Sequence, residues 1–225
     1  MNVRWEQITY DHLINIEKAF ELYDQAFPIE VREPHTIFME SLNYGKNREP
    51  NSFRFVVGYD GEQLVSFATG HYFAEANFGF IVYLATNPHV RNSGLGSKTL
   101  AKIEELLKID AISAGNTSPR AIILETEKLE LAHSPKDKED CIKRTRFFER
   151  NGYKPLLGVN YLQPPLNNDE HYVPLHLLSN QTDLTKQEIA DFVQVMYREK
   201  YDLVNRINKQ VLSHCLDSMG LYKDN

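Results

Sequence analysis

PHVRNSGLGSKTL, Pro88 to Leu100, is the stretch on which the reading of the fold turns. It packs an arginine, two glycines, a serine, a lysine and a threonine into one turn. The run before it, FGFIVYLAT (Phe78–Thr86), is apolar at nearly every position and reads as a strand covered on both faces. After it, Leu95, Thr99, Ile103, Leu106 and Leu107 recur at helical spacing and predict a helix of about four turns. The order strand, glycine turn, helix leaves backbone N–H groups bare at the start of the helix, where they and the helix dipole attract an anion.

Two phosphate-binding templates fail here. A P-loop requires GxxxxGK[ST]; Lys98-Thr99 fits its end, but Ser97 and Asn92 stand where its glycines belong. A dinucleotide fingerprint requires GxGxxG, and Gly94-Leu95-Gly96 runs on to Thr99 instead of a third glycine. The preceding segment, SFRFVVGYDGEQLVSFATGHYF, reads as a hairpin around Asp60-Gly61, whereas a dinucleotide fold opens with parallel βαβ units.

A third template, Q/R-x-x-G-x-G/A, is met by Arg91-Asn92-Ser93-Gly94-Leu95-Gly96. Here the chain resembles the GNAT-type N-acetyltransferases, whose motif joins the fourth strand to the third helix. YLATNPHVRNSGLGSKTL is similar to that whole segment, and RFFERNGYKPL to the family's later helix-Gly-aromatic signature. With the N-terminal helices around FPIEVRE, the resemblance runs from about residue 4 to about residue 178. It implies an α/β (α+β) GNAT fold: a mixed, mostly antiparallel sheet with splayed central strands, flanked by helices. The alternative for the turn is a helix cap that holds no ligand.

The resemblance implies acetyl-CoA as cosubstrate, lying where the fourth and fifth strands splay. Backbone groups of Leu84, Ala85 and Thr86 then pair with its pantetheine arm, and one N–H polarises the thioester carbonyl. The residues Arg91, Asn92, Ser93, Gly94, Leu95, Gly96 and Ser97 cradle its pyrophosphate. Glycines there let phosphate oxygens approach the main chain, and the helix end adds about half a positive charge.

Acetylation of an amine further needs a base for the amine and a proton for the departing thiolate. RAIILETE predicts a buried strand ending in Glu125 and Glu127, whose spacing puts both on one face. Glu125 interrupts an apolar run and is the first candidate for base or cationic-amine anchor; a solvated strand end is the alternative. The family often has a Tyr as acid two residues before the position of Arg150, but here that residue is Phe148. Tyr161 is the substitute and Tyr83 an alternative to it, although a Tyr before a Pro-rich loop is commonly a packing residue. His71, His133 and the basic helix face of Lys143, Arg144, Arg146 and Arg150 carry less.

Leu13, Ile16, Phe20, Tyr23 and Phe27 predict a first helix ended by Pro28, and Pro34 opens a short second one. A charged connection, KLELAHSPKDKED, is expected before the helix CIKRTRFFERNGY, which Asn151-Gly152 closes. Two strand-like runs flank QPPLNNDEH. From Thr185 the character changes: TKQE is a capping box, and no Gly or Pro recurs until Gly220. One long or two shorter amphipathic helices are expected there, packed through Ile189, Phe192, Met196 and Ile207. The domain expectation is therefore 1–180 for the acetyltransferase domain and 181–225 for a C-terminal helical extension.

Composition fits an ordinary globular chain, with an apolar fraction of 42% and twelve residues each of Tyr and Phe for a core. The net charge of −6 argues against a nucleic-acid partner and tolerates a cationic acceptor. Two cysteines without a CxxC, no ligand-like His cluster and no apolar run of membrane length predict no disulfide framework, no metal and no membrane partner. A cytoplasmic enzyme acting on an amine-bearing small molecule or peptide is expected, with a homodimer left open. The rival reading is a non-catalytic acyl-CoA sensor or interaction module on the same fold.

Overall fold

The structure, a computed structural model, describes residues 2–27, 29–90, 94–166 and 172–221. The chain divides into two compact units, Met1–Pro119 and Arg120–Asn225.

In the first unit, β1 (Arg4–Ile8), β2 (Ser52–Asp60), β3 (Gln63–Phe73) and β4 (Phe78–Thr86) pair antiparallel in that order. Gly61, at φ +59, makes the tight β2–β3 turn that Asp60-Gly61 predicts. The strand β1 had no sequence expectation, because RWEQI shows no clear alternation. Helices α1 (Ile16–Ala26) and α2 (His35–Asn47) press Phe20, Tyr23, Phe38 and Leu42 onto Phe55, Phe67 and Tyr83 of the strands. Pro34 sits at the N-cap of α2 as expected, though that helix runs thirteen residues and is not short.

Helix α3 (Leu95–Ser113) has nineteen residues, one turn more than its apolar stripe predicts. It is tied to the sheet by Asp110, whose carboxylate takes the Arg54 guanidinium and the Ser52 hydroxyl (2.6 Å). Both Asp110 oxygens are satisfied, so this buried charge fixes the helix without an orphan group.

The second unit is built on β8 (Val173–Ser179), which pairs antiparallel with β5 (Ala121–Glu127), β6 (Lys154–Pro155) and β7 (Leu162–Gln163). Helix α4 (Pro135–Arg150) starts inside the stretch expected to be a charged connection. The reason is a capping box: Ser134 Oγ accepts from the Asp137 amide (3.1 Å) while Asp137 accepts from the Ser134 amide (3.0 Å), with Pro135 at the first position. Gly152, at φ +89, ends the helix where Asn151-Gly152 predicts it.

The capping box of Thr185 and Glu188 opens α5 (Lys186–Met196). That helix continues into a π-helical segment, Tyr197–Val204, and α6 (Lys209–Ser218) follows. Ile189, Phe192 and Met196 are buried and Ile207 is half-buried. Among the described residues no helix is long and apolar enough to cross a membrane.

Candidate functional site

The segment of special interest in the first unit begins with a break in register. Thr69 faces Tyr83 and Gly70 faces Ile81, so Val82 is an extra residue on β4. A bulge of this kind kinks and re-aims the strand just before Leu84, Ala85 and Thr86. Gly70 is required opposite it, because a Cβ there would lie 2.9 Å from the Phe80 carbonyl oxygen. Beyond the strand, the Asn87 amide donates to the Val65 carbonyl (2.7 Å), and its side chain accepts from the His89 amide (2.9 Å).

Arg91, Asn92 and Ser93 lie outside the described residues. Gly94 is the N-cap of α3, at φ +73, and among the described residues no side chain caps that helix. A Cβ on Gly94 would meet nothing within 4 Å, so its outer face is open. Leu95 is buried and anchors the first turn, Gly96 is half-buried and Ser97 exposed. No acidic residue stands in that turn. The local chemistry is therefore that of an unneutralised helix N-terminus, a donor set suited to phosphate oxygens.

The candidate side chains lie in the second unit, where Glu125 and Tyr161 are brought together. The Tyr161 hydroxyl donates to Glu125 Oε1, the Tyr201 hydroxyl donates to the same oxygen (2.8 Å), and Gln163 Nε2 donates to Oε2 (2.6 Å). The two tyrosine oxygens are 3.3 Å apart. Both tyrosines are fully buried and Glu125 is half-buried. Burial pushes the Glu125 carboxyl above its ordinary value, against the hydrogen bonds from Tyr161 and Tyr201, the Lys200 charge and Gln163. Burial, and next the charge of Glu125, hold the Tyr161 and Tyr201 phenols well above 10. Tyr201 and Gln163 were not among the sequence candidates, since no motif links positions so far apart.

The other candidates have structural surroundings. Glu127 pairs with Arg144. Phe148 is buried with its ring against Phe147 and Tyr153. His71 is enclosed by the rings of Tyr44, Phe53 and Phe73. Tyr83 donates to the Val31 carbonyl (3.3 Å) and packs edge-on to Tyr23. His133 is exposed. Among the described residues no group of three or more His, Cys, Asp or Glu side chains is arranged to hold a metal ion.

Residues 16–116 match the model of the Acetyltransferase (GNAT) family. Among solved structures, the chain is similar to a protein of Bacteroides thetaiotaomicron assigned to the GNAT acetyltransferases, at 22% identity and TM-score 0.64, over 91% of this chain and 99% of that one. It is also similar to an aminoglycoside 6'-N-acetyltransferase complexed with coenzyme A (16% identity, TM-score 0.52, 83% and 99% covered). A third is PaiA N-acetyltransferase of Thermoplasma acidophilum, in complex with coenzyme A (10% identity, TM-score 0.50, 80% and 98% covered). No curated protein matches the sequence. The chain has the α/β fold of the GNAT acetyltransferases, and its residues 16–116 match that family's model.

Proposed function

We propose that the protein is an N-acetyltransferase that moves an acetyl group from acetyl-CoA directly to a primary amine. The observation that carries this reading is the bulged β4 leading to the glycine-opened N-terminus of α3. The residues fit the cofactor's chemistry: first-turn amides of α3 hold pyrophosphate oxygens, and main-chain groups of Leu84 to Thr86 hold the pantetheine amides. Arg91, Asn92 and Ser93 belong to the same cradle in this reading. That two structural neighbours were solved with coenzyme A supports it.

Proton handling is assigned to Glu125 and Tyr161. Glu125 takes the proton the amine must lose, and its raised basicity suits that task. Tyr161 gives a proton to the thiolate. A free tyrosinate is unfavourable beside Glu125, so as Tyr161 releases its proton it takes up the one on Glu125. The net transfer is one proton from amine to thiol, and both side chains return to their starting states.

The test is thiol release from acetyl-CoA across a panel of primary amines, with a thermal shift by acetyl-CoA measured in parallel. Binding with turnover of at least one amine is expected. Stabilisation without thiol release from any amine would favour the acyl-CoA sensor. No thermal shift would remove the cofactor assignment itself.

A further inference from the structure

Two independent features of the second unit converge on one side chain that the catalytic assignment leaves unexplained. The first is the π-helical segment Tyr197–Val204, which continues α5 without a break. A π-turn is less favourable than continued α-helix and persists where it places a side chain that matters. The second is the interior this segment carries: Tyr197, Glu199, Lys200, Tyr201 and Val204 are all buried. Burying hydroxyls and charges is costly when apolar side chains of the same size would fill the space, so their retention calls for a task.

The geometry of Tyr201 names the task. Its hydroxyl reaches Glu125 Oε1 at 2.8 Å from 76 residues along the chain, sharing that oxygen with Tyr161. Lys200 beside it donates to Asn205 Oδ1 (3.2 Å) and lies 5.0 Å from the centre of the Tyr201 ring. Tyr197 packs edge-on to Tyr201 and donates to the Leu162 carbonyl, fixing the segment against the end of β7 that carries Gln163.

We propose that Tyr201 is a positioning residue for Glu125: the segment after the last strand supplies the hydrogen bond that orients the proton-accepting carboxylate. The inference rests on the reading of Glu125 as the amine's base. Charged and titratable neighbours of Glu125 are Tyr161, Tyr201, Lys200 and Tyr197, with Gln163 as a neutral donor. Across the ladder Leu177 faces Glu125 and His176 faces Thr126, while Arg144 of α4 is engaged by Glu127.

The experiment is steady-state kinetics against pH for the full chain carrying Tyr201→Phe, with Glu125→Gln in parallel. Loss of one hydrogen bond to a charged group should lower kcat about tenfold to a hundredfold and leave the KM for acetyl-CoA unchanged. The acidic limb of kcat/KM should move to higher pH, because the ionised carboxylate loses a donor. Incorporating 3-fluorotyrosine at position 201 keeps the shape, strengthens the donor and should move that limb to lower pH; it also serves if Tyr201→Phe does not fold. An unmoved limb in the fluorotyrosine protein, with Glu125→Gln impaired, overturns the role of Tyr201 and leaves Glu125 as base. Wild-type behaviour of Glu125→Gln overturns both together.

Discussion

The two units carry different kinds of proposed chemical work. In the first, the atoms proposed to act belong to the backbone: amides at the start of α3 and main-chain groups after the β4 bulge. Its interior is mainly an aromatic and aliphatic cluster around Phe38, Phe55, Phe67 and Tyr83, although it also buries His71 and the Asp110 carboxylate. In the second, the atoms proposed to act belong to side chains, and the interior admits Glu125, Tyr161, Tyr201 and Lys200. A backbone site needs glycines and a rigid scaffold. A side-chain site needs its polar groups to satisfy one another, since each would be costly alone.

The comparison breaks most visibly if a side chain proves dispensable. Glu125→Gln keeps shape and hydrogen-bonding capacity, because a Gln carbonyl still accepts from both tyrosines and its amide can face a reoriented Gln163. The expected result is a fall in kcat of about two to four orders of magnitude, with acetyl-CoA affinity nearly unchanged. Should only the acceptor's KM rise, Glu125 anchors a cationic amine instead.

The backbone half predicts a different signature. Gly96→Val adds bulk in the first turn of α3 at a half-buried position, where Val is a better helix former than Gly. Melting should change little, while the Kd for coenzyme A should rise about tenfold or more, an effect of roughly 1.4 kcal/mol. A folded Gly96→Val protein with wild-type cofactor affinity would contradict the placement of the pyrophosphate.

The same contrast explains what could be read in the sequence. The bounds of β4 match the apolar run Phe78–Thr86, and α3 begins within the glycine turn, because a backbone site is written in contiguous residues. Glu125 stood out because it interrupts an apolar strand. Its partners did not: Tyr161 and Tyr201 lie 36 and 76 positions away, and only tertiary packing brings them to one oxygen. The π-helical segment was equally silent, since eight residues are too few to shift an amphipathic stripe detectably. The start of α4 was legible in Ser134-Pro135 and Asp137, but the surrounding charges masked the capping box.

The smallest expected effect sets a carboxylate held by an arginine, Glu188, against the one held by tyrosines, Glu125. Glu188 accepts from Arg120 Nε (2.6 Å) and from the Thr185 amide (2.8 Å), and Asp183 binds the same guanidinium (3.1 Å). The bond from Arg120 first, then those from Thr185, lower the Glu188 carboxyl from 4.5 to about 2. A group whose folded value is depressed contributes stability above its unfolded value and loses it as pH falls. The urea midpoint of the wild type should therefore decline more steeply than that of Glu188→Gln as pH drops from 4.5 towards about 2. At neutral pH the difference in melting temperature should be a few degrees at most, because the pair faces solvent and Gln retains part of the capping box. Parallel declines would mean that solvent screens the pair completely. The kcat of Glu188→Gln should equal that of the wild type, since Glu188 caps α5 and lies outside the Glu125 network. A loss of turnover there would show that the π-helical segment transmits the position of α5 to Tyr201, and the second unit would then act as one device rather than as a carboxylate with local donors.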